Sequence, residues 1–150
     1  MYQTVISVAQ QHDIYIGAAA VADYTPIQVK AQKIKTKTSE NTLILQKTKD
    51  ILASVAALSP RPFVVGFAAE TDALEEYAKA KLVRKNLDLI AANWVGQQQG
   101  GFEADENALH VFWQAGEKKL AMTDKKQLAY QLLKLITERM NEENTAKNFG

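Results

Sequence analysis

The chain has 150 residues, of which 47% are hydrophobic and 23% are charged, and its formal net charge is +1. This length suffices for one domain with a real core, and the near-neutral charge argues against a general nucleic-acid or membrane-surface binder. The absence of cysteine excludes a disulfide framework and a thiol nucleophile, and it fits a reducing cytoplasm. No apolar stretch approaches the roughly 18 residues that a membrane span requires.

The first half of the chain predicts alternating helices and strands. Apolar residues at helical spacing predict a helix over residues 1–11 that packs on the following strand. Residues 14–19 predict a buried strand, and the polar segment 25–41 predicts a long loop or flap with a short strand near its middle. Residues 43–45 predict another short strand, and residues 50–58 predict a short helix.

The middle of the chain has the pattern of a parallel sheet. Residues 63–68 form a continuous apolar run, which is typical of a strand buried on both faces. Thr71 is a suitable N-cap for a helix over residues 72–85, whose acids come early and whose bases come late, as the helix dipole favours. Residues 87–92 predict a further buried strand.

The last third predicts a β-hairpin and a helix. Apolar and polar residues alternate over 109–114, a turn is expected at 115–117, and a second strand follows at 120–122. Asp124 can cap a last helix with an apolar stripe, and the residues after Met140 are expected to form a frayed polar tail. We therefore predict an α/β fold: a Rossmann-like parallel sheet flanked by helices, with an added antiparallel β-hairpin and a C-terminal helix. Residues 1–140 would form the domain and 141–150 the tail.

The end of the first predicted strand has the layout of a nucleotide site. Small residues at 18–22 would let a ligand approach the backbone, Asp23 could bind a hydroxyl, amine or metal, and Lys33 and Lys35 could meet phosphate. The alternative is a core strand that ends in an ordinary solvated loop. This segment alone favours that alternative, because short motifs give many false matches.

Lys81 and Lys85 give the strongest indication of a ligand from a single segment of the sequence. Their side chains point within about 40° of each other on the predicted helix, on the same side as Leu74 and Ala78. Two ammonium groups repel, and a core-facing stripe is a costly place for them, so a polyanionic ligand would explain the arrangement. The alternative is that both lysines complement the helix dipole and extend to water.

Three segments also occur in the order, and close to the spacing, of a known family: 18–24 (AAAVADY), 66–71 (GFAAET) and 81–93 (KLVRKNLDLIAAN). Together they resemble the phosphopantothenoylcysteine synthetase family of coenzyme A biosynthesis, most closely its bacterial type, which is usually fused to a flavin-dependent decarboxylase. The resemblance extends over residues 14–140. It implies a two-step ligase that uses CTP and Mg²⁺ to couple 4'-phosphopantothenate to cysteine, and it implies a homodimer. FMN would belong only to a fused decarboxylase domain outside these 150 residues.

The resemblance also implies which residues act. Lys33 matches the lysine that the family needs to form the acyl-cytidylate, and Lys81 and Lys85 match lysines on the triphosphate. Phe67 matches a position where an aromatic ring can stack on a base. The full set of matched nucleotide contacts is Gly17, Ala18, Ala19, Asp23, Lys33, Lys49, Asp50, Ile51, Leu52, Phe67, Lys81 and Lys85. Lys49 stands where the family usually has proline, and Thr48 where it has asparagine.

Family members begin with a strand, a glycine-rich turn and an asparagine-bearing loop that nothing here matches. We therefore expect the later part of a synthetase domain, with nucleotide-binding elements but an incomplete catalytic site. One alternative is a module for dimerisation and nucleotide holding, in which Val111, Phe112 and Trp113 supply apolar surface for a two-fold contact. The other is a Rossmann-type oxidoreductase, which the missing G-x-G-x-x-G disfavours.

Overall fold

A five-stranded mixed sheet forms the centre of the molecule, with a separate two-stranded ribbon beside it. The computed structural model describes residues 1–32, 42–70, 73–94 and 105–148. In chain order the elements are α1 (Tyr2–Val8) with a 3₁₀ turn at Ala9–Gln11, β1 (Ile14–Gly17), β2 (Tyr24–Pro26), β3 (Leu45–Lys47), α2 (Ile51–Ala56), β4 (Phe63–Glu70), α3 (Leu74–Arg84), β5 (Leu89–Trp94), β6 (Glu106–Trp113), β7 (Gly116–Asp124) and α4 (Lys125–Asn148).

The strand order in the sheet is β1-β4-β5-β6-β7. β1, β4 and β5 are parallel to one another, whereas β6 and β7 are antiparallel to their neighbours. The ribbon pairs β2 with β3 in antiparallel fashion. This arrangement confirms the predicted α/β fold with a parallel sheet, an added hairpin and a C-terminal helix.

Two hydrophobic cores lie on opposite faces of the sheet, because successive side chains of a strand point to opposite sides. Val64 and Ile90 belong to the core under α1, α2 and α3, and their chain neighbours Val65 and Leu89 belong to the core under α4. All four are fully buried. The predicted stripe of α4 supplies the second core with Leu128, Leu132, Leu135 and Ile136. None of the described helices is long and apolar enough to cross a membrane.

A bidentate ion pair joins the starts of two central strands. Arg61 Nη1 and Nη2 donate to the two carboxylate oxygens of Asp88 at 2.9 and 2.5 Å, and the backbone N–H of Val64 donates to Asp88 Oδ2 at 2.6 Å. The Asp88 side chain is only 7% exposed. Because its charge is paired and its oxygens accept several hydrogen bonds, burial of this carboxylate is compatible with a stable fold.

The two ends of the domain differ from their predictions. β1 spans Ile14–Gly17 and lies at an edge of the sheet, where Ile16 is 38% exposed, so the prediction of a buried strand over 14–19 was wrong. A strand with one neighbour leaves part of each side chain uncovered. α4 continues past Met140 to Asn148, so the predicted fraying was also wrong. The extension contains no glycine or proline to stop the helix, and Arg139 pairs with Glu142 one turn later.

Other boundaries moved by a few residues. α3 begins after Ala73, whose φ of 46° is left-handed, so Thr71 is not its N-cap; residues 71 and 72 lie outside the described part of the chain. The strand predicted at 43–45 lies at Leu45–Lys47. The first helix packs on α2 rather than mainly on β1. The strand predicted near residue 34, and most of the predicted flap, lie outside the described residues.

The hairpin is confirmed, but it does not present the apolar surface that we expected. Val111 and Phe112 are fully buried in the two cores of the same molecule. The Arg139 guanidinium lies over the Trp113 ring, 4.9 Å from its centroid. Val111 and Phe112 are therefore not available for a two-fold contact, and the homodimer stays a prediction from the family resemblance.

Candidate functional site

A cavity of about 560 Å³ lies where β1, the end of the ribbon, the start of α2 and the last turns of α3 meet. This volume is within the range of about 300–1,000 Å³ that is usual for small-molecule sites. Ten of the twelve predicted nucleotide contacts line it: Gly17, Ala19, Asp23, Lys49, Asp50, Ile51, Leu52, Phe67, Lys81 and Lys85.

The remaining two predicted contacts are not placed in the cavity. Ala18 does not line the cavity, although the adjacent predicted contacts Gly17 and Ala19 do. Lys33, which was predicted to be catalytic, lies outside the described residues. The structure thus brings together positions that are far apart in the sequence, and what they bind stays a prediction.

Two glycines leave room for the Leu52 side chain of α2. A Cβ atom at Gly17 would lie 2.9 Å from Leu52 Cδ1, and one at Gly66 would lie 3.0 Å from Leu52 Cδ2. These distances are shorter than normal carbon contacts, so a larger residue at either position would force the Leu52 side chain to shift. The lack of a side chain at Gly17 therefore serves the packing of Leu52 against β1 as well as the shape of the cavity.

The segment that carries Asp23 is fixed to the end of the ribbon. Thr48 Oγ1 donates to the carbonyl of Ala22 at 2.7 Å, and the Thr48 N–H donates to the carbonyl of Asp23 at 2.9 Å. These bonds hold the backbone of Asp23 at the rim of the cavity. Thr48 was noted from the sequence only as a departure from the family pattern, and its positioning role depends on a contact between distant segments.

α3 directs both predicted lysines toward the cavity. Lys81 Nζ donates to the main-chain carbonyl of Phe67 at 2.9 Å, and Lys85 Nζ lies 2.8 Å from Asp50 Oδ2. The Phe67 side chain is partly buried and packs against the core on the α4 side, so this residue lines the cavity and also belongs to the packing of the strand. The i, i+4 spacing was a correct signal that the two lysines share one environment.

Several lining residues were missed by the sequence analysis. They include Tyr15, Tyr24, Lys47, Thr48 and Arg84. Arg84 was detectable in principle, because it follows Lys81 by three residues and so lies near it on the helix surface. Tyr15 and Tyr24 were also detectable, because they lie close in sequence to the predicted contacts at the end of β1 and at Asp23. Lys47 and Thr48 gave no local signal, since the approach of the ribbon to the sheet determines their position.

The cavity has an excess of positive charge. Its lining includes five cationic side chains, from Lys47, Lys49, Lys81, Arg84 and Lys85, but only two carboxylates, from Asp23 and Asp50. The Lys49 ammonium also lies over the Tyr2 ring, 4.8 Å from its centroid. A concave surface with one dominant sign of charge attracts ligands of the opposite sign, in this case anions.

Two ionisable groups of the cavity have shifted pKa values. Partial burial by itself would raise the pKa of Asp50, but hydrogen bonds from Lys85 and from the Ala53 N–H, together with the charges of Lys85 and Lys81, outweigh it and hold the pKa below its ordinary value. Burial raises the pKa of the Tyr15 hydroxyl. Asp50 is therefore an anion, and Tyr15 a neutral hydroxyl, at neutral pH.

No group of three or more histidine, aspartate or glutamate side chains suited to a metal ion occurs among the described residues. Mg²⁺ commonly binds through one or two carboxylates and the phosphates of a substrate, so it does not need such a group. Asp23 at the rim of the cavity is compatible with that mode, because it places one carboxylate beside the cationic wall.

Comparison with known proteins gives the family. The model of the DNA/pantothenate metabolism flavoprotein C-terminal domain matches residues 1–140. The coenzyme A biosynthesis bifunctional protein CoaBC of Escherichia coli K12 is 52% identical over 139 residues, which is 90% of this chain and 34% of that protein. CoaBC of Vibrio cholerae is 50% identical over 143 residues, covering 93% of this chain and 36% of that protein. The chain thus spans about a third of the length of these relatives.

Solved structures agree with this assignment. A crystal structure of the C-terminal domain of CoaBC superposes with a TM-score of 0.72 at 33% identity, covering 95% of this chain and 61% of that one. The DNA/pantothenate metabolism flavoprotein from Streptococcus pneumoniae, with a TM-score of 0.68 and 23% identity, shares the fold and covers 91% of this chain and 67% of that one. The chain belongs to the DNA/pantothenate metabolism flavoprotein C-terminal domain family, which confirms the resemblance to the synthetase part of the bifunctional coenzyme A biosynthesis protein.

Proposed function

We propose that this chain carries the nucleotide site of a CTP-dependent ligase of coenzyme A biosynthesis, which joins 4'-phosphopantothenate to cysteine. One observation carries the proposal: ten residues predicted as nucleotide contacts converge on a single cavity with an excess of cations. Relatives named for coenzyme A biosynthesis support the pathway. The nucleotide and the two-step reaction come from the family resemblance.

The proposed chemistry requires control of dense negative charge. The carboxylate of 4'-phosphopantothenate attacks the α-phosphate of CTP, a P–O bond forms, and pyrophosphate leaves. The cysteine amine then attacks the acyl carbon, CMP leaves, and the amine loses a proton as the amide forms. In the first step an anion must approach a polyanion, so cations have to neutralise the phosphates before the two can meet.

The residues of the cavity fit these needs by their charge and position. Lys81 and Lys85 are assigned to the β- and γ-phosphates, because α3 carries both ammonium groups into the same cavity. Arg84 adds a third cation from the same helix. Asp23, at the end of the segment held by Thr48, is assigned to the nucleoside. Lys33 is assigned to the reacting α-phosphate on the family resemblance alone.

Mg²⁺ is assigned to the triphosphate rather than to a preformed protein site. When bound, it would neutralise phosphate charge and favour departure of pyrophosphate. The phosphates themselves would hold the ion, since Asp23 is assigned to the nucleoside and Asp50 already interacts with Lys85 and with the start of α2. The protein's own task is then to orient the nucleotide and to supply the cationic wall.

Binding of labelled CTP and labelled NAD, measured side by side by equilibrium dialysis, tests this proposal. We expect retention of CTP, its displacement by unlabelled CTP and, less effectively, by ATP, and no retention of NAD. The control is the variant Lys79→Ala, which removes a lysine from the same helix without touching this cavity and should bind CTP normally. A preference for NAD would contradict the ligase and favour the oxidoreductase alternative.

A further inference from the structure

Asp50 makes two contacts that connect opposite walls of the cavity. Its Oδ1 accepts a hydrogen bond from the Ala53 N–H at 3.0 Å and so caps the start of α2. Its Oδ2 lies 2.8 Å from Lys85 Nζ, at the end of α3. The Lys85 side chain is 18% exposed and the Asp50 side chain is 44% exposed, so the pair lies at the boundary of the cavity and is open to water on one side.

This geometry creates a competition for one ammonium group. A phosphate oxygen that approaches Lys85 Nζ brings its negative charge close to the Asp50 carboxylate, which bears a full charge at neutral pH. Lys81 Nζ donates to the neutral carbonyl of Phe67, and its charge acts on Asp50 less strongly than that of Lys85 does. The direct contact of Asp50 is with Lys85, so its carboxylate opposes a polyanion most strongly at that ammonium group.

We infer that Asp50 is a positioning residue that acts through Lys85 and weakens the binding of polyphosphate relative to monophosphate. This inference rests on the proposed function and concerns the same site. The carboxylate holds the Lys85 ammonium beside the cavity, and a bound triphosphate must draw it away or share it. When pyrophosphate is the ligand, the same carboxylate competes for the ammonium and favours release of the product. A monophosphate nucleotide that does not reach Lys85 is unaffected.

The variant Asp50→Asn tests this role, because asparagine has nearly the same shape and is an equally good N-cap but carries no charge. Isothermal titration would measure inorganic tripolyphosphate, CTP and CMP. We expect tripolyphosphate and CTP to bind about three- to tenfold more tightly than to wild type, which is the size of a half-exposed ion pair plus a modest repulsion. CMP should bind equally well to both proteins. Asp50→Ser, which also caps a helix, should reproduce the gain.

A double-mutant cycle with Lys85→Ala separates action through Lys85 from a general change of charge. If Asp50 acts through Lys85, then Asp50→Asn should give a much smaller gain in the Lys85→Ala background than in wild type, because only the direct repulsion between carboxylate and phosphate is left to remove. An equal gain without Lys85 would overturn the inference, as would weaker or unchanged binding of tripolyphosphate by both Asp50 variants. Weaker CMP binding would instead assign Asp50 to the nucleoside and would also overturn it.

The outcome also distinguishes this inference from the proposed ligase. If the affinities for tripolyphosphate show the coupling that the double-mutant cycle predicts while ATP binds as tightly as CTP, then the role of Asp50 as counter-ion of Lys85 stands, and the proposal of a cytidine-specific ligase fails. If wild type and all variants fail to bind any polyphosphate, both proposals fail. Thermal unfolding of each variant should stay cooperative. If the Asn and Ser variants bind tripolyphosphate equally well, the change in affinity comes from the lost charge and not from a lost helix cap.

Discussion

Removal of Lys81 or Lys85 should weaken binding of CTP far more than binding of CMP. Both ammonium groups lie in the cationic cavity, and both are assigned to phosphates that CMP lacks. CMP affinity should depend instead on the end of β1, on Asp23 and on Phe67. The variants Lys81→Ala and Lys85→Ala therefore test the triphosphate assignment without altering the nucleoside part of the site.

The magnitude follows from what each lysine gives up. A charge-assisted hydrogen bond to phosphate contributes about 1.5–3 kcal/mol. Lys81 must share its charge-assisted bond to the Phe67 carbonyl, and Lys85 must share its ion pair with Asp50; because these contacts are shared and not broken, we take the offset as about 1 kcal/mol in each case. The net loss per substitution is then about 1–2 kcal/mol, which is about five- to thirtyfold in the dissociation constant.

Calorimetric titration of wild type and of both variants with CTP and CMP provides the measurement. Because the two lysines share one anion, the double variant should lose less than the sum of the single losses. Lys79→Ala is the matched control, since Lys79 lies on the same helix and pairs with Glu75 and Glu117 outside this cavity. It should bind both nucleotides as wild type does.

Two results would refute the reasoning. An equal loss for CTP and CMP would mean that the lysines contact the nucleoside or support the fold. No loss for either nucleotide would mean that they only complement the end of the helix, and the effect should then be confined to a small change in thermal stability. In either case Lys33 would be the only one of the three lysines assigned to phosphate whose assignment still stands.

Four further outcomes are expected. Gly66→Ala should cost about 1–3 kcal/mol in urea denaturation, because its Cβ would lie 2.8 Å from Leu87 Cδ1. Arg61→Ala should cost roughly 3 kcal/mol in the same assay, since it leaves the buried Asp88 carboxylate unpaired. The lowered pKa of Asp50 contributes stability that is present above its unfolded pKa of about 3.9 and is lost as the pH falls through the folded value. The free energy of unfolding should therefore fall less below pH 4 in Asp50→Asn than in wild type, by an amount smaller than about 1 kcal/mol. Light scattering should detect a homodimer.

Each of these outcomes has a control or a contrary result. Val83→Ala removes an exposed side chain from α3 and should leave stability unchanged, in contrast to Gly66→Ala. Lys79→Ala breaks exposed ion pairs and should cost far less than Arg61→Ala. If the free energy of unfolding falls equally below pH 4 in wild type and in Asp50→Asn, the pH prediction is wrong. A 16.6 kDa monomer at high concentration would contradict the dimer.

Much of the fold could be predicted because the relevant signals are local. A continuous apolar run predicted the central strand β4, alternation predicted the hairpin, and a stripe at helical spacing predicted the buried face of α4. The exposure of β1 could not be predicted in this way, because it depends on which strands lie beside it. The end of α4 was placed too early because a polar composition suggested a tail, although nothing in that segment stops a helix.

Only part of the candidate site could be predicted from the sequence. The spacing of Lys81 and Lys85 indicated a shared environment, and the family resemblance selected ten positions that the fold brings together. Contacts between distant segments gave no signal: the hydrogen bonds from Thr48 to the Asp23 segment and the ion pair from Lys85 to Asp50 arise only when the ribbon, α2 and α3 meet on the sheet. The Asp50 cap was predictable, and its second partner was not.

A crystal structure of the chain with CTP would decide whether this cavity is the nucleotide site. We predict that the nucleotide occupies the cavity at the start of α2, with the ammonium groups of Lys81 and Lys85 within hydrogen-bonding distance of the β- or γ-phosphate. We predict further that Asp23 and Phe67 contact the nucleoside. A nucleotide bound elsewhere on the molecule, or bound here with its phosphates pointing away from α3, would show that the cavity is not the triphosphate site.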